Sequence, residues 1–411
     1  MHLSSEQADA VDLCLDLGQR ITCVTGQAGT GKTTIMKKVF EGFEEIFPRE
    51  APDIPRVIMA APTGRAAKRI EEATGIQGAM TIHRMLRFTT PEDEQDMSLP
   101  RHDRFNPMPY DVILIDESSM LDAALWRALL AALKRGALLR FFGDINQLPP
   151  VVDDEGSPFA VALTKFSTAR LTHNYRSSDG IIAVADRVIK GRIPIPNDKV
   201  RIHRIKSVDT MLVLRKLCDE HDFTKLDSQI ITPTNTTKYG TVTINNFIQA
   251  RYNPEKDKIQ TFQKTKNGDV EVRAFKRGDK ILWTKNNYDL EIMNGTIGLV
   301  QSFDKETGHI VITVDDGRDI NIPPSIQGFN PTTGERFNYD PRVQMALGYA
   351  ISTHKSQGSQ FGVVLFVCTL SRAATRQNLY TGITRAKEEL LILNVGGSMS
   401  DAVNTVAKLV K

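Results

Sequence analysis

Two clusters of residues, one near each end of the chain, have the types and spacing needed for phosphate chemistry. Residues 26–33 follow the pattern G-x-x-x-x-G-K-T. The glycines would let backbone N–H groups approach phosphate oxygens, Lys32 would reach the β- and γ-phosphates, and the Thr33 hydroxyl would bind Mg²⁺. Residues 380–386 contain Arg385, a cation that could complete such a site from a distant part of the chain. These residues predict the binding and hydrolysis of a nucleoside triphosphate.

Acidic and amide side chains between the two clusters would complete this chemistry. Asp116 and Glu117 follow the apolar run 112–115, and the C-terminal ends of parallel strands are where ligands bind. Asp116 would hold Mg²⁺, and Glu117 would orient or deprotonate the attacking water. Gln147 follows the apolar run 138–142 and could donate to the γ-phosphate or to that water. A solvated turn is the alternative interpretation of each motif.

Apolar runs that alternate with helix-like stretches must position these residues. The first series predicts strands at 21–25, 56–61, 112–115 and 138–142, and helices from the glycine loop to about 46, at 64–74 and at 121–134. The second series predicts helices near 178–189, 241–250 and 372–385, and strands at 229–232, 346–351, 362–367 and 389–394. This alternation predicts an α/β fold with two lobes, each a parallel sheet covered by helices.

Two stretches interrupt the alternation. Between about 256 and 340, short strands at 280–284, 297–303, 309–314 and 318–322 are separated by Gly, Asp and Asn turns, which predicts a small β-barrel. Residues 87–110 are rich in Pro, Asp and Arg and predict an exposed loop or hairpin. The predicted domains are therefore a first lobe over 1–165 with an insertion at 87–110, a second lobe over 166–255 and 341–411, and a barrel over 256–340.

Composition argues against several classes of protein. With 411 residues, 41% hydrophobic and 25% charged, the chain is expected to form two or three soluble globular domains. No apolar run approaches the roughly 20 residues of a membrane span, and residues 1–6 do not resemble a signal peptide. Four scattered cysteines predict reduced thiols and a cytoplasmic location. No membrane partner is expected. The net charge of +3 is too small to indicate nucleic-acid binding by itself.

Further motifs, together with those above, resemble the motifs of superfamily 1 helicases, close to the RecD/Dda group of subfamily 1B. They occur in family order and cover nearly the whole chain: Gln7, residues 61–67 (APTGRAA), 81–83 (TIH), 174–177 (NYRS), 232–235 (TPTN) and 353–358 (THKSQG), and the Arg385 segment. The resemblance implies two RecA-like P-loop NTPase lobes, an SH3-like barrel inserted in the second lobe and a short pin inserted in the first. It also implies ATP and Mg²⁺ between the lobes and 5′→3′ movement along single-stranded DNA, with unwinding of duplex junctions.

The resemblance assigns roles to individual residues. The implied catalytic residues are Lys32, Asp116, Glu117, Gln147, and the arginine fingers Arg176 and Arg385, with Thr33 and Asp116 as metal ligands. The implied nucleotide-binding residues are Gln7, which would read the adenine edge, and Gly26, Gly29, Thr30, Gly31, Lys32, Thr33, Thr34 and Gly358. The implied DNA-binding residues are Pro62, Thr63, His83, Thr232, Asn235, Asn294, Thr353 and His354.

Three structural alternatives remain open at the level of sequence. Phe275, Trp283 and Tyr288, beside basic residues, would suit a surface that grips a single strand, but Trp283 could equally belong to the barrel core. Residues 87–110 could be a strand-separating pin or a passive loop, and the side chains able to form a wedge there are Phe88, Met97, Leu99 and Phe105. Gln360 stands where RecD-like helicases usually place an acidic residue that meets the ribose, so the nucleotide preference is open.

Alternative functions share the same motifs. The chain could be a translocase that displaces bound proteins with weak unwinding, or an RNA helicase of the same superfamily. It could also be an inactive binding module or a subunit of a nuclease complex, although the presence of Lys32, Glu117 and Arg385 argues against inactivity. Single-strand-binding proteins and replication or recombination proteins are the predicted protein partners.

Overall fold

The computed structural model divides the chain into two compact units. It describes residues 3–48, 56–88, 100–150, 156–175, 180–264, 270–287, 289–329, 336–369, 371 and 373–405. The first unit contains the described residues up to 175, and the second contains those from 180 to 405. Among the described residues, no helix is both long enough and apolar enough to cross a membrane.

The first unit is a parallel sheet with a hydrophobic cluster on each face. Val112 and Leu114 contribute to one cluster, and Ile113 and Ile115 contribute to the other. The strand Val112–Ile115 is thus covered on both faces, which explains why it is a continuous apolar run in the sequence. The elements are α1 (Ser5–Leu15), β1 (Ile21–Gly26), α2 (Lys32–Ile46), β2 (Val57–Ala61), α3 (Gly64–Thr74), β3 (Met80–Thr81), α4 (Ile82–Met85), β4 (Val112–Ile115), α5 (Ala123–Ala131), β5 (Leu138–Gly143), α6 (Pro158–Lys165) and β6 (Ser167–Leu171).

The strand order in this sheet is β3-β2-β4-β5-β1-β6. β6 pairs in parallel with β1, with Thr25 opposite Arg170. The first unit therefore continues beyond residue 165, where the sequence prediction ends the first lobe. The burial of β6 explains why it was missed, because four of its five residues are only half-buried or exposed and give no apolar run.

The second unit has its own parallel sheet, with the order β18-β8-β19-β20-β7. Two parallel sheets bearing helices confirm the predicted α/β fold class. The elements are α7 (Gly180–Ile189), β7 (Val200–Ile205), α8 (Thr210–Glu220), β8 (Ser228–Thr232), α9 (Thr241–Tyr252), β9 (Lys258–Lys264), β10 (Val270–Lys276), β11 (Lys280–Trp283), β12 (Ile297–Phe303), β13 (Ile310–Val314), β14 (Asp319–Ile322), β15 (Ile326–Phe329), β16 (Arg336–Tyr339), β17 (Met345–Leu347), β18 (Ala350–Ser352), β19 (Phe361–Cys368), α10 (Arg376–Ile383), β20 (Ala386–Val395) and α11 (Ser398–Asn404).

The predicted barrel is an antiparallel sheet in the order β14-β13-β12-β11-β17, accompanied by the hairpins β9–β10 and β15–β16. Trp283 and Phe275 are buried in its hydrophobic cluster. For Trp283 the structure supports the barrel core, and the strand-gripping role predicted for Phe275 does not fit its burial in the same cluster. Tyr288 lies outside the described residues.

One predicted strand, 346–351, proves to be two strands in different sheets. β17 pairs with β11 of the barrel, whereas β18 pairs with β8 of the lobe. The chain passes from one sheet to the other at Gly348, where an added Cβ would lie 2.6 Å from the carbonyl carbon of Ile281. The apolar run is continuous because every residue of the two strands is buried or half-buried, so its pattern could not reveal the change of sheet.

Candidate nucleotide site and single-strand groove

The phosphate loop joins β1 to α2 at the C-terminal edge of the first sheet. Gly29 and Gly31 have φ values of 88° and 86°, a left-handed conformation that glycine adopts without steric cost. The Lys32 ammonium donates hydrogen bonds to the carbonyl oxygens of Gly26, at 2.6 Å, and Gln27, at 2.9 Å. The loop therefore curves around the lysine, and α2 begins there with unsatisfied N–H groups that suit an anion.

The acidic pair follows β4 at the same edge of the sheet. Asp116 Oδ1 accepts a hydrogen bond from the backbone N–H of Glu117 at 2.8 Å. Burial and the neighbouring Glu117 charge raise the pKa of Asp116 to about 6, whereas Lys32 and Arg69 oppose that rise. These couplings place Asp116 within the electrostatic reach of the phosphate-loop lysine. Glu117 is buried, has φ 49° and ψ 40°, and its Oε2 has no hydrogen-bond partner among the described residues.

A third motif follows β5, which lies between β4 and β1 in the sheet. Gln147 is buried, and within the described part of the chain its Oε1 has no hydrogen-bond partner. An unpaired buried polar atom costs about 1–3 kcal/mol. The topology therefore brings the phosphate loop, Gln147 and the acidic pair to one edge of the sheet. Two oxygens there that are unpaired among the described residues, Glu117 Oε2 and Gln147 Oε1, could each accept a hydrogen bond from a ligand or water.

These residues fit a magnesium–nucleotide complex. Mg²⁺ is usually held by one or two protein oxygens together with water and substrate phosphates, and Thr33 and Asp116 supply that limited donor set. Burial first, and then the neighbouring Glu117 charge, raise the pKa of Asp116, and a divalent cation would stabilise the ionised carboxylate there. Within the described residues no group of three or more His, Cys, Asp or Glu side chains could hold a metal by itself.

The start of α1 lies against the phosphate loop. Gln7 and Ser4 form a reciprocal N-terminal cap, in which each side chain accepts from the backbone N–H of the other residue. The Gln7 amide nitrogen also donates to the Thr30 carbonyl oxygen at 3.3 Å. An added Cβ on Gly31 would lie 2.4 Å from that nitrogen. Gln7 is thus held beside the loop, at the position from which its predicted contact with adenine would be made.

Sequence reasoning missed one residue at this site, Tyr175. Its backbone N–H donates to the Gly29 carbonyl oxygen at 2.9 Å, and the neighbouring Asn174 amide donates to Ala28. Tyr175 is 49% exposed, and its ring packs edge-on against that of His173, with ring centroids 4.5 Å apart. An exposed aromatic ring beside Gln7 and Gly31 can stack on a nucleotide base. The signal was present in the NYRS motif, where only the arginine was given a role.

Of the two predicted arginine fingers, Arg385 lies within the described residues and Arg176 does not. Arg385 follows α10, is 2% exposed, and donates to the Thr381 and Ser359 carbonyl oxygens at 3.0 and 3.4 Å and to the Thr384 hydroxyl at 3.2 Å. Its guanidinium is therefore bonded within the second unit. Gly358, one residue before Ser359, has φ 75°.

Two predicted DNA-binding threonines of the second unit have buried hydroxyls. Thr232 Oγ1 donates to the Tyr239 carbonyl oxygen at 3.1 Å, and Thr353 Oγ1 donates to Asn378 Oδ1 at 2.9 Å. The Thr353 backbone N–H also donates to the Thr232 carbonyl oxygen at 3.1 Å. These bonds join the TPTN and THKSQG loops at the C-terminal ends of β8 and β18. In this conformation both threonines brace the loops, while Asn235 and half-buried His354 lie nearer the surface.

A groove opens beside these loops, between α9 and the β9–β10 hairpin. Its volume is about 510 Å³. Its wall is fixed by Asp279, whose carboxylate accepts hydrogen bonds from Gln249, Asn253 and Tyr349. The lining combines two cations with amide and hydroxyl groups; the polar residues are Asn235, Thr241, Asn245, Asn246, Gln249, Arg273, Ser352 and Lys355. Arg273 is tied to the carbonyl oxygens of Val343 and Met345, while Lys355 is exposed.

The remaining predicted contacts are divided between the units. Pro62 and Thr63 follow β2, and the Thr63 hydroxyl caps α3 by accepting from the Ala66 N–H at 3.2 Å. His83 is exposed on α4 and its ring lies 5.0 Å from that of Phe88. Asn294 is exposed in the turn before β12. Residues 89–99 of the predicted pin lie outside the described residues.

The first unit is, by its fold and its loop, a P-loop nucleoside triphosphatase domain. An AAA domain family model matches residues 2–207 of the chain. The model for the UvrD-like helicase C-terminal domain matches 347–393, and that for the ATP-dependent RecD-like DNA helicase SH3 domain matches 244–314. The chain belongs to the RecD/Pif1-type helicases of superfamily 1B, which confirms the RecD-like, subfamily 1B resemblance of its motifs.

Comparisons with individual proteins support this family assignment. The ATP-dependent RecD2 DNA helicase of Deinococcus radiodurans is 33% identical over 396 residues, which cover 94% of this chain and 48% of the relative. The chain thus spans about half the length of that protein. Pif1 helicase from Candida albicans has a similar structure, with TM-score 0.62, 20% identity and coverage of 97% of this chain and 96% of that one. Bacteroides Pif1 in complex with ADP-AlF3 and single-stranded DNA has TM-score 0.59, 19% identity and coverage of 95% and 92%.

Proposed function

We propose that this chain is an ATP-dependent DNA helicase that moves 5′→3′ on single-stranded DNA and unwinds duplex junctions. The observation that carries the proposal is the meeting of the phosphate loop, Gln147 and the Asp116–Glu117 pair at one edge of one sheet. Membership of the helicase family supports the coupling of ATP hydrolysis at this site to movement along DNA. The direction of that movement comes from the family resemblance.

Each residue of the first unit would act on ATP in a distinct way. Lys32 would exchange its carbonyl partners for the β- and γ-phosphate oxygens, and Thr33 and Asp116 would hold Mg²⁺, which neutralises phosphate charge. Glu117 would take a proton from the attacking water, and Gln147 would orient that water. Arg176 and Arg385 would supply cations to the transferring phosphoryl group. Their engagement and release would convert hydrolysis into domain movement.

The groove of the second unit supports the single-strand part of the proposal. Its cations and amides suit phosphates, which position a strand without reading its sequence. The exposed residues Asn235, Lys355 and His83 would contact the strand directly, and the buried threonines Thr232 and Thr353 would hold the loops in place. Residues 87–110 would form the strand-separating pin, where Phe105 is 80% exposed and lies under the Arg104 guanidinium.

Replacing Tyr175 with Ala should raise the KM for ATP by about 5- to 150-fold and leave kcat nearly unchanged. Stacking of a base on an aromatic ring contributes about 1–3 kcal/mol, and loss of binding shared by ground and transition states affects KM alone. Steady-state ATP hydrolysis at saturating single-stranded DNA measures both constants. Tyr175→Phe retains the ring and serves as the control. A fall in kcat with an unchanged KM would contradict the stacking role.

Replacing Lys355 with Ala should weaken single-stranded DNA binding about tenfold, because a charge-assisted contact with a phosphate contributes about 1.5 kcal/mol or more. The loss should be similar for all base sequences. The slope of log affinity against log salt should fall in magnitude by about 0.7 per lost phosphate contact. Fluorescence anisotropy with labelled oligonucleotides measures both effects. Lys256→Ala, an exposed lysine outside the groove lining, should change neither, and equal losses in the two variants would contradict the groove assignment.

DNA and RNA oligonucleotides of equal length and sequence distinguish the proposal from an RNA helicase. We expect DNA to stimulate ATP hydrolysis and RNA to give little stimulation. The reverse preference would favour the RNA helicase, and no stimulation by either would contradict the motor function.

A forked duplex assayed beside a protein-blocked single strand distinguishes the unwinding of duplex DNA from the displacement of bound proteins. Single-strand-binding and replication or recombination proteins remain the predicted partners.

A further inference from the structure

Arg69 on α3 lies beside Glu117, which has the central role in the proposed hydrolysis. Arg69 Nη1 is 3.9 Å from Glu117 Oε1, and their side chains are 30% and 11% exposed. This distance is that of an ion pair without a direct hydrogen bond. The arginine therefore holds the carboxylate electrostatically, and a small displacement could break the contact.

Glu117 is constrained in a second way. Its backbone is left-handed, with φ 49° and ψ 40°, a region that residues other than glycine rarely adopt. Its Oε2 is buried and accepts no hydrogen bond from the described residues. Strained backbone of this kind is found at functional sites and switches. Within the described residues the carboxylate is thus paired on one oxygen, unsatisfied on the other, and attached to a backbone in an unfavourable left-handed conformation.

α3 connects Arg69 to the predicted strand contact at Pro62 and Thr63. The helix begins at Gly64, capped by the Thr63 hydroxyl. Its buried face, which includes Ala66, Ala67 and Ile70, packs in the hydrophobic cluster of the first sheet. Because a short helix moves as a rigid body, a displacement of its N-terminus by a bound strand would also move Arg69.

We propose that Arg69 is a positioning residue that restrains Glu117 until a single strand occupies Pro62 and Thr63. Strand binding would shift α3, separate Arg69 from Glu117 and free the carboxylate to accept a proton from the attacking water. The proposal rests on the proposed function, since it requires Glu117 to act in ATP hydrolysis and a strand to bind at the start of α3. It explains how one helix could make hydrolysis depend on DNA.

The test is ATP hydrolysis by Arg69→Ala without DNA and with saturating oligo(dT). Because the contact is long, at 3.9 Å, and Arg69 is partly exposed to solvent that screens it, we expect the DNA-free rate to rise only about two- to fivefold. The saturated rate should stay close to that of the unmodified chain, and the stimulation ratio should fall accordingly. Arg69→Lys retains a charge and should give a smaller rise. Lys68→Ala removes a cation from the same helix and should leave the ratio unchanged.

The possible outcomes separate the inference from the proposed function. Equal falls in both rates for Arg69→Ala, or an unchanged ratio, would overturn the restraint while leaving the helicase proposal intact. If Arg69→Ala is unfolded by circular dichroism, the ratio in Arg69→Lys decides, and a ratio equal to that of the unmodified chain overturns the inference. Absence of DNA stimulation in the unmodified chain would overturn the proposed function and, with it, the inference.

Discussion

Replacing Lys32 with Ala should lower DNA-stimulated ATP hydrolysis by about 10²–10³-fold, the usual effect of removing one preorganised charge from a transition state. Lys32 is the cation that α2 brings to the phosphate loop, where its ammonium already bonds the carbonyl oxygens of Gly26 and Gln27. The variant also lacks the cation that would contact the β- and γ-phosphates of bound ATP, so nucleotide affinity should fall as well. Phosphate release measured at several ATP concentrations separates the two effects.

Lys38→Ala is the matched control for that prediction. Lys38 lies on the same helix and forms an exposed pair with Glu41 at 2.7 Å, with side chains 45% and 41% exposed. Such a pair contributes little to stability, so hydrolysis should be unaffected. Near-normal turnover in Lys32→Ala would contradict the assignment of residues 26–33 as the phosphate loop.

Replacing Arg385 with Ala should lower kcat by about 10³–10⁵-fold while ATP binding is largely retained, because an arginine finger acts mainly on the transition state. In the structure the guanidinium is buried and bonded to Thr381, Ser359 and Thr384. To act as a finger it must exchange at least some of these bonds for phosphate oxygens. Single-turnover hydrolysis and nucleotide-binding titrations measure rate and affinity separately.

The loss of a buried arginine also lowers stability, so this prediction needs a control with a similar structural cost. Arg342 in the barrel donates three hydrogen bonds, two to Asp340 and one to Gly308. Arg342→Ala should lower the free energy of unfolding by about 1–3 kcal/mol but leave kcat near normal. If folded Arg385→Ala hydrolyses ATP as fast as Arg342→Ala does, Arg385 is a structural residue and not a finger.

Local patterns in the sequence predicted those features whose cause is itself local. The phosphate loop depends on glycines and a lysine at fixed spacing, and in the structure Gly29 and Gly31 adopt a positive φ that glycine tolerates without steric cost. β12 was predicted with its observed bounds, Ile297–Phe303, because turns rich in Gly, Asp and Asn flank its apolar residues. The fold class followed from strands alternating with helices.

Features that depend on contacts distant in sequence were not predictable in the same way. β6 lacks an apolar run, and only its pairing with β1 assigns it to the first sheet. Tyr175 lies beside the phosphate loop through a hydrogen bond to Gly29, and Arg69 meets Glu117 through the packing of α3. The burial of Thr232 and Thr353 is likewise visible only once the loops after β8 and β18 are brought together. No spacing rule within the chain encodes these neighbours.

Strand separation with two tailed duplexes tests the central claim most directly. One substrate carries a single-stranded 5′ tail and the other a 3′ tail of the same length, with ATP and Mg²⁺ supplied to both. Movement in the 5′→3′ direction predicts that only the 5′-tailed duplex is separated, and that Lys32→Ala separates neither. Separation of the 3′-tailed duplex alone, or separation that proceeds equally without ATP, would contradict the account.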